Sequence, residues 1–170
     1  MSTADLKFRF FAEAESHFKN EEFAKANEKY QSLMPYLDEM NMGHAEILGN
    51  FSISLRKQHE YSKAEEIGFK RLKWYRKQGE AEGSNSVAIA LIFLCELYWE
   101  QELYQKSLDV MLLCDIAESE AWCLSSNFIA KCYIKLEQPI LAKKYAQQAV
   151  DTARNEQQKE SIRFVFKNLL

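Results

Sequence analysis

Glycine and proline are scarce in this chain, with five glycines and two prolines among 170 residues. Both residue types interrupt regular structure, so their scarcity favours long elements joined by short connections. Valine is also scarce, whereas leucine, alanine, glutamate, lysine and glutamine are plentiful, which favours helix over strand. The most apolar stretch, 87–97, is far shorter than the ~20 residues of a membrane-spanning helix. The composition therefore predicts a helical globular protein that has no membrane partner.

Signatures of common catalytic and metal sites are missing as well. The three histidines form no HExxH pair, the cysteines form no CxxC pair, and no GxSxG segment occurs. The segment 79–83 contains two glycines but lacks the lysine and the serine or threonine of a phosphate-binding loop. The clustered carboxylates are typical of solvated helix faces. We therefore expect a protein that is not an enzyme and that holds neither a metal nor a cofactor.

Charge and cysteine usage bear on the compartment and the partners. The net charge is −3 with mixed signs and no basic stripe, which argues against nucleic acid as a partner. Cys95, Cys114, Cys123 and Cys132 lie among apolar residues at helical spacing and are interpreted as buried, reduced thiols. The first residues do not resemble a secretory signal, because no apolar run follows a basic start. A cytoplasmic location is predicted.

One short pattern occurs four times along the chain. An aromatic residue, or Pro139 in the last copy, is followed three positions later by a small residue: Ala26, Ala64, Ser107 and Ala142. These small residues lie 38, 43 and 35 residues apart, and a period in that range indicates stacked helix pairs. A small side chain lets two helix backbones approach closely. We therefore interpret the four as packing points and not as parts of a binding site.

Helical spacing of apolar residues extends each copy into a pair of helices. The predicted pairs cover 4–38, 43–79, 84–117 and 119–154, and an amphipathic helix over 157–170 is expected to cap the array. Its expected apolar stripe consists of Ile162, Val165, Phe166 and Leu169. The strongest break is 79–86, which makes Ser84 or Asn85 a candidate N-cap, and Pro139 suits the first turn of a helix.

The pairs resemble tetratricopeptide repeats. That family places an apolar residue, a small residue and an aromatic on the first helix, and an aromatic followed by alanines on the second. The best match is the fourth pair, with Ile129, Ala130, Tyr133, Ala142, Ala146 and Ala149. The resemblance implies one all-α domain over 1–170, a right-handed α-solenoid of about four helix pairs plus a C-terminal capping helix. The spacings of 38 and 43 residues exceed the 34 residues that are usual in this family. Long repeats of this kind resemble those of the bacterial peptide-pheromone regulators, the Rap and PlcR-like receptors.

In this family the first helices of the pairs line a concave surface on which peptides bind. The resemblance therefore implies a peptide- or partner-binding surface made of Phe11, Glu15, Asn50, Ile53, Arg56, Lys57, Phe93, Glu96, Trp99, Asn127 and Lys131. The amides of Asn50 and Asn127 could hold a peptide backbone by donating and accepting at once. Arg56 and Lys57 suit a carboxylate. The alternatives are solvated side chains at these four positions and core packing for Trp99.

The expected function is a protein- or peptide-binding adaptor or regulator without catalysis. Two alternatives stay open from the sequence. One is a peptide-pheromone sensor or inhibitor of the Rap-like class. The other is a self-assembling structural repeat protein, in which the end repeats of two copies form a homodimer.

Overall fold

A computed structural model describes residues 3–39, 43–80, 84–113 and 122–170, and every regular element within these ranges is helical. This confirms the predicted all-α class. The α-helices are α1 Thr3–Lys19, α2 Phe23–Leu33, α3 His44–Lys57, α4 Tyr61–Lys77, α5 Asn85–Glu100, α6 Tyr104–Leu112, α7 Trp122–Lys135, α8 Pro139–Asp151 and α9 Glu156–Val165. A 3-10 helix, Met34–Glu39, follows α2 directly. None of the described helices combines the length and the apolar character needed to cross a bilayer.

The chain divides into two compact units, and the boundary lies inside α4. Unit 1 covers 1–74 and contains α1, α2, α3 and most of α4. Unit 2 covers 75–170 and contains the end of α4 and the helices from α5 to α9. The organisation of both units as one repeat domain stays a prediction.

The turn between the two helices of each pair has the same backbone conformation in all four pairs. Glu21, His59, Glu102 and Glu137 adopt the left-handed region, with φ between 56° and 59°. In each turn the next amide donates to the carbonyl five residues earlier, at 2.9–3.0 Å. This is the hydrogen bond of a Schellman helix end, where glycine is the usual residue because it has no Cβ. The four turns precede the four small residues by five positions each, so they share the same repeat.

Replacing Glu102 by glycine should stabilise the protein by about 0.5–1 kcal/mol. Relief of a left-handed conformation that costs ~1–2 kcal/mol outweighs the extra entropy of glycine in the unfolded chain. Urea unfolding followed by circular dichroism measures the change. The control is Glu160→Gly inside α9, which also removes a glutamate carboxylate but should destabilise by about 1 kcal/mol. A loss of stability in both variants would contradict the assignment of strain to Glu102.

The small residues Ala26, Ala64, Ser107 and Ala142 are all fully buried, which confirms their interpretation as packing points. Ser107 also connects three helices of unit 2. Its Oγ donates to the carbonyl of Cys95 in α5 at 2.9 Å and lies 3.5 Å from the Sγ of Cys132 in α7. A hydrogen bond with Cys132 and burial both raise the pKa of the Cys95 thiol, so this thiol is protonated at neutral pH.

Cys95 and Cys132 are buried free cysteines, as predicted. Cys114 and the side chain of Cys123 lie outside the described residues.

The C-terminal helix α9 packs its apolar residues on the last pair of helices. Ile162 and Phe166 join a cluster with Ala130, Ala146, Ala149 and Val150. The predicted inclusion of Val165 was wrong, because this side chain is 52% exposed. The helix ends at Val165, and Leu169 beyond it packs against the same cluster, as predicted. Asn155 caps the start of α9 by accepting from the amide of Gln158 at 2.8 Å.

Candidate functional site

Two of the predicted site residues meet in unit 1. The Oε1 atom of Glu15 in α1 accepts from the hydroxyl of Tyr30 in α2 at 2.7 Å and from Nδ2 of Asn50 in α3 at 3.0 Å. Tyr30 is fully buried, and burial together with the Glu15 carboxylate raises its pKa, so the hydroxyl keeps its proton and donates. The Nδ2 atom of Asn50 is thus used inside the fold, where it helps to join three helices.

The other predicted residues of unit 1 differ in exposure. Phe11, Ile53 and Arg56 are half-buried, and Lys57 is exposed at the end of α3. Arg56 and Lys57 form part of the last turn of the helix, where the negative end of the helix dipole favours cations. A ligand contact by any of these four side chains stays a prediction.

In unit 2, one predicted residue is in the core and two others are nearer the surface. Phe93 is only 6% exposed, so little of its ring is available to a ligand. Glu96 and Trp99 are half-buried on the same helix, α5. The ring of Trp99 packs edge-on against Tyr104 with 4.9 Å between ring centres. The end of α5 and the start of α6 thus form an aromatic pair.

A line of polar side chains runs along α7, and its last member contacts this aromatic pair. Asn127, Lys131 and Lys135 are four residues apart in turn and therefore share one side of the helix. The Nζ atom of Lys135 lies 5.5 Å from the centre of the Tyr104 ring, which connects the line to the pair. We call Trp99, Tyr104, Asn127, Lys131 and Lys135 the α7 surface.

The polar groups of the α7 surface are incompletely satisfied within the described part of the chain. Neither Lys131 nor Lys135 forms an ion pair with any residue that the structure describes. The Oδ1 atom of Asn127 is covered and has no hydrogen-bond partner there. The Nζ atom of Lys131 lies 5.5 Å from the ring centre of Phe128, so an aromatic face holds this ammonium group too.

Three residues of the α7 surface, Trp99, Asn127 and Lys131, belong to the binding residues predicted from the sequence. Tyr104 and Lys135 do not. The four-residue spacing from Lys131 to Lys135 was a usable signal. The contact between Lys135 and Tyr104 could not be predicted from the spacing, since it joins residues from different helices. The arrangement offers two cations, an amide and an aromatic wall, which together suit a polypeptide ligand. In the described ranges no group of three or more histidine, cysteine, aspartate or glutamate side chains is placed to hold a metal.

Comparison with known proteins bears on the fold. No family model and no curated protein sequence matches the chain. Among solved structures, an ArsTM double mutant of MamA RS-1 is similar with a TM-score of 0.70 at 15% identity, over 98% of this chain and 86% of that one. A tetratricopeptide repeat protein from Parabacteroides merdae has a TM-score of 0.74 at 14% identity, over 96% of this chain and 59% of its own length. The chain has a tetratricopeptide-repeat fold.

A third structure agrees with this assignment. A putative kinesin light chain of Podospora anserina with nearly identical TPR-like repeats has a TM-score of 0.70 at 12% identity, over 96% of this chain and 84% of that one. At these identities the likeness establishes the fold alone. The predicted solenoid of tetratricopeptide-like pairs is confirmed at that level, while the resemblance to Rap and PlcR-like receptors stays a prediction.

Proposed function

We propose that this tetratricopeptide-repeat protein binds a partner protein or peptide without catalysis, and that the α7 surface holds an acidic segment of that partner. The observation that supports this most directly is the state of Lys131 and Lys135. Both ammonium groups lie over aromatic rings, and neither has a carboxylate partner among the described residues.

Each group of the surface has a distinct role in this proposal. The two lysines donate charge-assisted hydrogen bonds to aspartate or glutamate side chains of the ligand. The amide of Asn127 accepts from a ligand main-chain N–H once it turns about its last torsion, which has a broad energy profile. The pair formed by Trp99 and Tyr104 provides apolar contact area at low cost in side-chain entropy.

Replacing both Lys131 and Lys135 by alanine should weaken the binding of an acidic peptide about tenfold. An exposed ion pair contributes ~0.2–1 kcal/mol, and two pairs of about 0.7 kcal/mol each give the ~1.4 kcal/mol that corresponds to a tenfold change. The probe is a fluorescein-labelled (Asp-Glu-Leu)4 peptide, with (Asn-Gln-Leu)4 as its uncharged counterpart, and fluorescence anisotropy measures both affinities.

The matched control is a double alanine variant of Lys73 and Lys77, two exposed lysines of α4 that are also four residues apart, so this variant lowers the net charge by the same amount. It should bind the acidic peptide like the unmodified protein. Equal weakening in both double variants, or no saturable binding of the acidic peptide, would refute the α7 surface as the site.

Different measurements test the two alternative functions, a pheromone-type regulator and a self-assembling repeat protein. A pheromone-type sensor or inhibitor of the Rap-like class should bind a short secreted peptide whose gene lies beside its own. A self-assembling repeat protein should show a molar mass that rises with concentration in light scattering, as expected for a homodimer formed through end repeats. The cytoplasmic location, and the expectation that nucleic acid and membranes are not partners, stay predictions.

A further inference from the structure

Unit 1 contains a groove between α2 and α4, with α3 beneath it. Two adjoining cavities of about 340 and 210 Å³ form this groove, and they share Gln31, Phe51, Leu55 and Lys63 among their lining residues. We call it the α2–α4 groove. Its α2 wall runs from residue 24 to the start of the 3-10 helix at residue 34, a length of about 15 Å at the helical rise per residue. That length matches about four to five residues of extended chain.

The floor of the groove is apolar and its walls carry amides. Phe51 and Leu55 of α3 form the floor, and each is only 2% exposed. Asn27 and Gln31 line the α2 wall, and Gln58 lies at the end of α3. Side-chain amides pair well with main-chain N–H and C=O groups. An extended segment has these groups available, whereas a helix has bonded most of its own. The walls therefore favour an extended ligand.

One carboxylate of the groove has no ion-pair partner among the described residues. Lys63 is bonded to Glu60, and Lys70 is bonded to Glu66. The carboxylate of Glu28 is exposed and forms no ion pair with any residue in the described ranges. The groove thus carries an excess of one negative charge, located on the α2 wall. A cationic ligand group complements it.

A second polar group of the same wall is unsatisfied. The Oδ1 atom of Asn27 is covered and has no hydrogen-bond partner among the described residues, while its Nδ2 atom makes a long contact of 3.5 Å with Oε1 of Gln58. A covered acceptor without a donor is unfavourable. Half a turn of this amide about its last torsion would exchange Oδ1 with Nδ2 and so place Oδ1 beside Gln58, a lining residue of the groove, where a ligand N–H could donate to it.

We propose that the α2–α4 groove binds an extended segment of a partner polypeptide that carries a lysine or arginine. A main-chain N–H of the segment donates to Oδ1 of Asn27, and the basic side chain pairs with Glu28. The segment's apolar side chains contact Ala24 and Met34, which line the groove and are more accessible than its floor. This site uses other helices and the opposite charge preference from the α7 surface, so it stands independently of the function proposed for that surface.

The experiment uses the full chain and the peptide Val-Lys-Val-Lys-Val-amide with a fluorescent label at its N-terminus, and fluorescence anisotropy follows the binding. We expect saturable binding that Glu28→Gln weakens about fivefold, the upper range for an exposed ion pair. The matched control is Glu160→Gln on α9, which changes the net charge equally and should leave the affinity unchanged. The double alanine variant of Lys131 and Lys135 should bind the basic peptide like the unmodified protein.

A second arm separates main-chain recognition from simple charge attraction. A version of the peptide methylated at its central main-chain nitrogen keeps its charge but loses one N–H donor, and it should bind several-fold more weakly. Absence of saturable binding, equal weakening by Glu28→Gln and Glu160→Gln, or unchanged affinity of the methylated peptide would each overturn the proposal.

Discussion

Replacing Phe166 by alanine should lower the free energy of unfolding by about 3–5 kcal/mol, the usual range for truncation of a buried aromatic residue. Its ring is 1% exposed and packs with Ala130, Ala146, Ala149 and Val150 of the last helix pair. Those neighbours are small, and none of the three alanines can extend into the space that the ring leaves. The cost of a cavity therefore adds to the loss of apolar burial. Urea unfolding with a far-ultraviolet signal measures the difference.

Phe164 provides a matched control because it lies two residues away and is 75% exposed. Phe164→Ala removes the same group from the surface and should change the free energy of unfolding by less than about 0.5 kcal/mol. Similar losses in both variants would show that the C-terminal segment does not pack as described. They would also remove the evidence that it caps the last helix pair.

The positions of the four repeats could be predicted from the sequence because the residue types within each repeat determine them. Small residues at helix crossings recur with the repeat, and all four are buried. Ser84 caps α5 as expected, by accepting from the amide of Val87 at 3.3 Å, and Pro139 lies in the first turn of α8. These features depend on one or a few neighbouring residues, so spacing and residue type were sufficient.

Helix ends were harder to predict. The first helix pair was expected to extend to residue 38, but α2 ends at Leu33 and a 3-10 helix containing Pro35 follows. Proline lacks an amide hydrogen and fits the first turn of a new helical segment better than a helix interior. The left-handed turns gave no signal either, since three glutamates and a histidine occupy positions where glycine would normally mark them.

Contacts between distant residues account for most of what the sequence did not predict. One such contact joins His44 and Trp74, whose rings stack with 5.4 Å between centres and a 16° angle between planes. Asn50 and Glu15 were each assigned to a ligand surface, but they bond to each other across 35 residues. Helical spacing identifies which side of a helix a residue occupies. It does not identify the residue on the neighbouring helix that it meets.

Replacing Glu15 by alanine should lower the free energy of unfolding by about 2–3 kcal/mol. The hydroxyl of Tyr30 would lose its acceptor while remaining fully buried, and an unsatisfied buried donor costs ~1–3 kcal/mol. Asn50 is half-buried, so its amide can turn towards water and should add little to the loss. Glu15→Gln is the control, because its amide oxygen can still accept from the tyrosine. It should cost about 1 kcal/mol or less.

A double-mutant cycle separates this structural role from a role in ligand binding. Tyr30→Phe removes the donor, so in the Glu15→Ala background it should cost less than in the unmodified protein, with a coupling of about 1–2 kcal/mol. Independent effects of the two substitutions would contradict the hydrogen bond as the source of the stability. An unchanged free energy of unfolding in Glu15→Ala, together with weaker peptide binding, would instead favour the ligand contact that the sequence predicts. The position of Glu15 between a buried hydroxyl and an amide of the next pair favours the first outcome, because a carboxylate that satisfies both groups is already part of the fold.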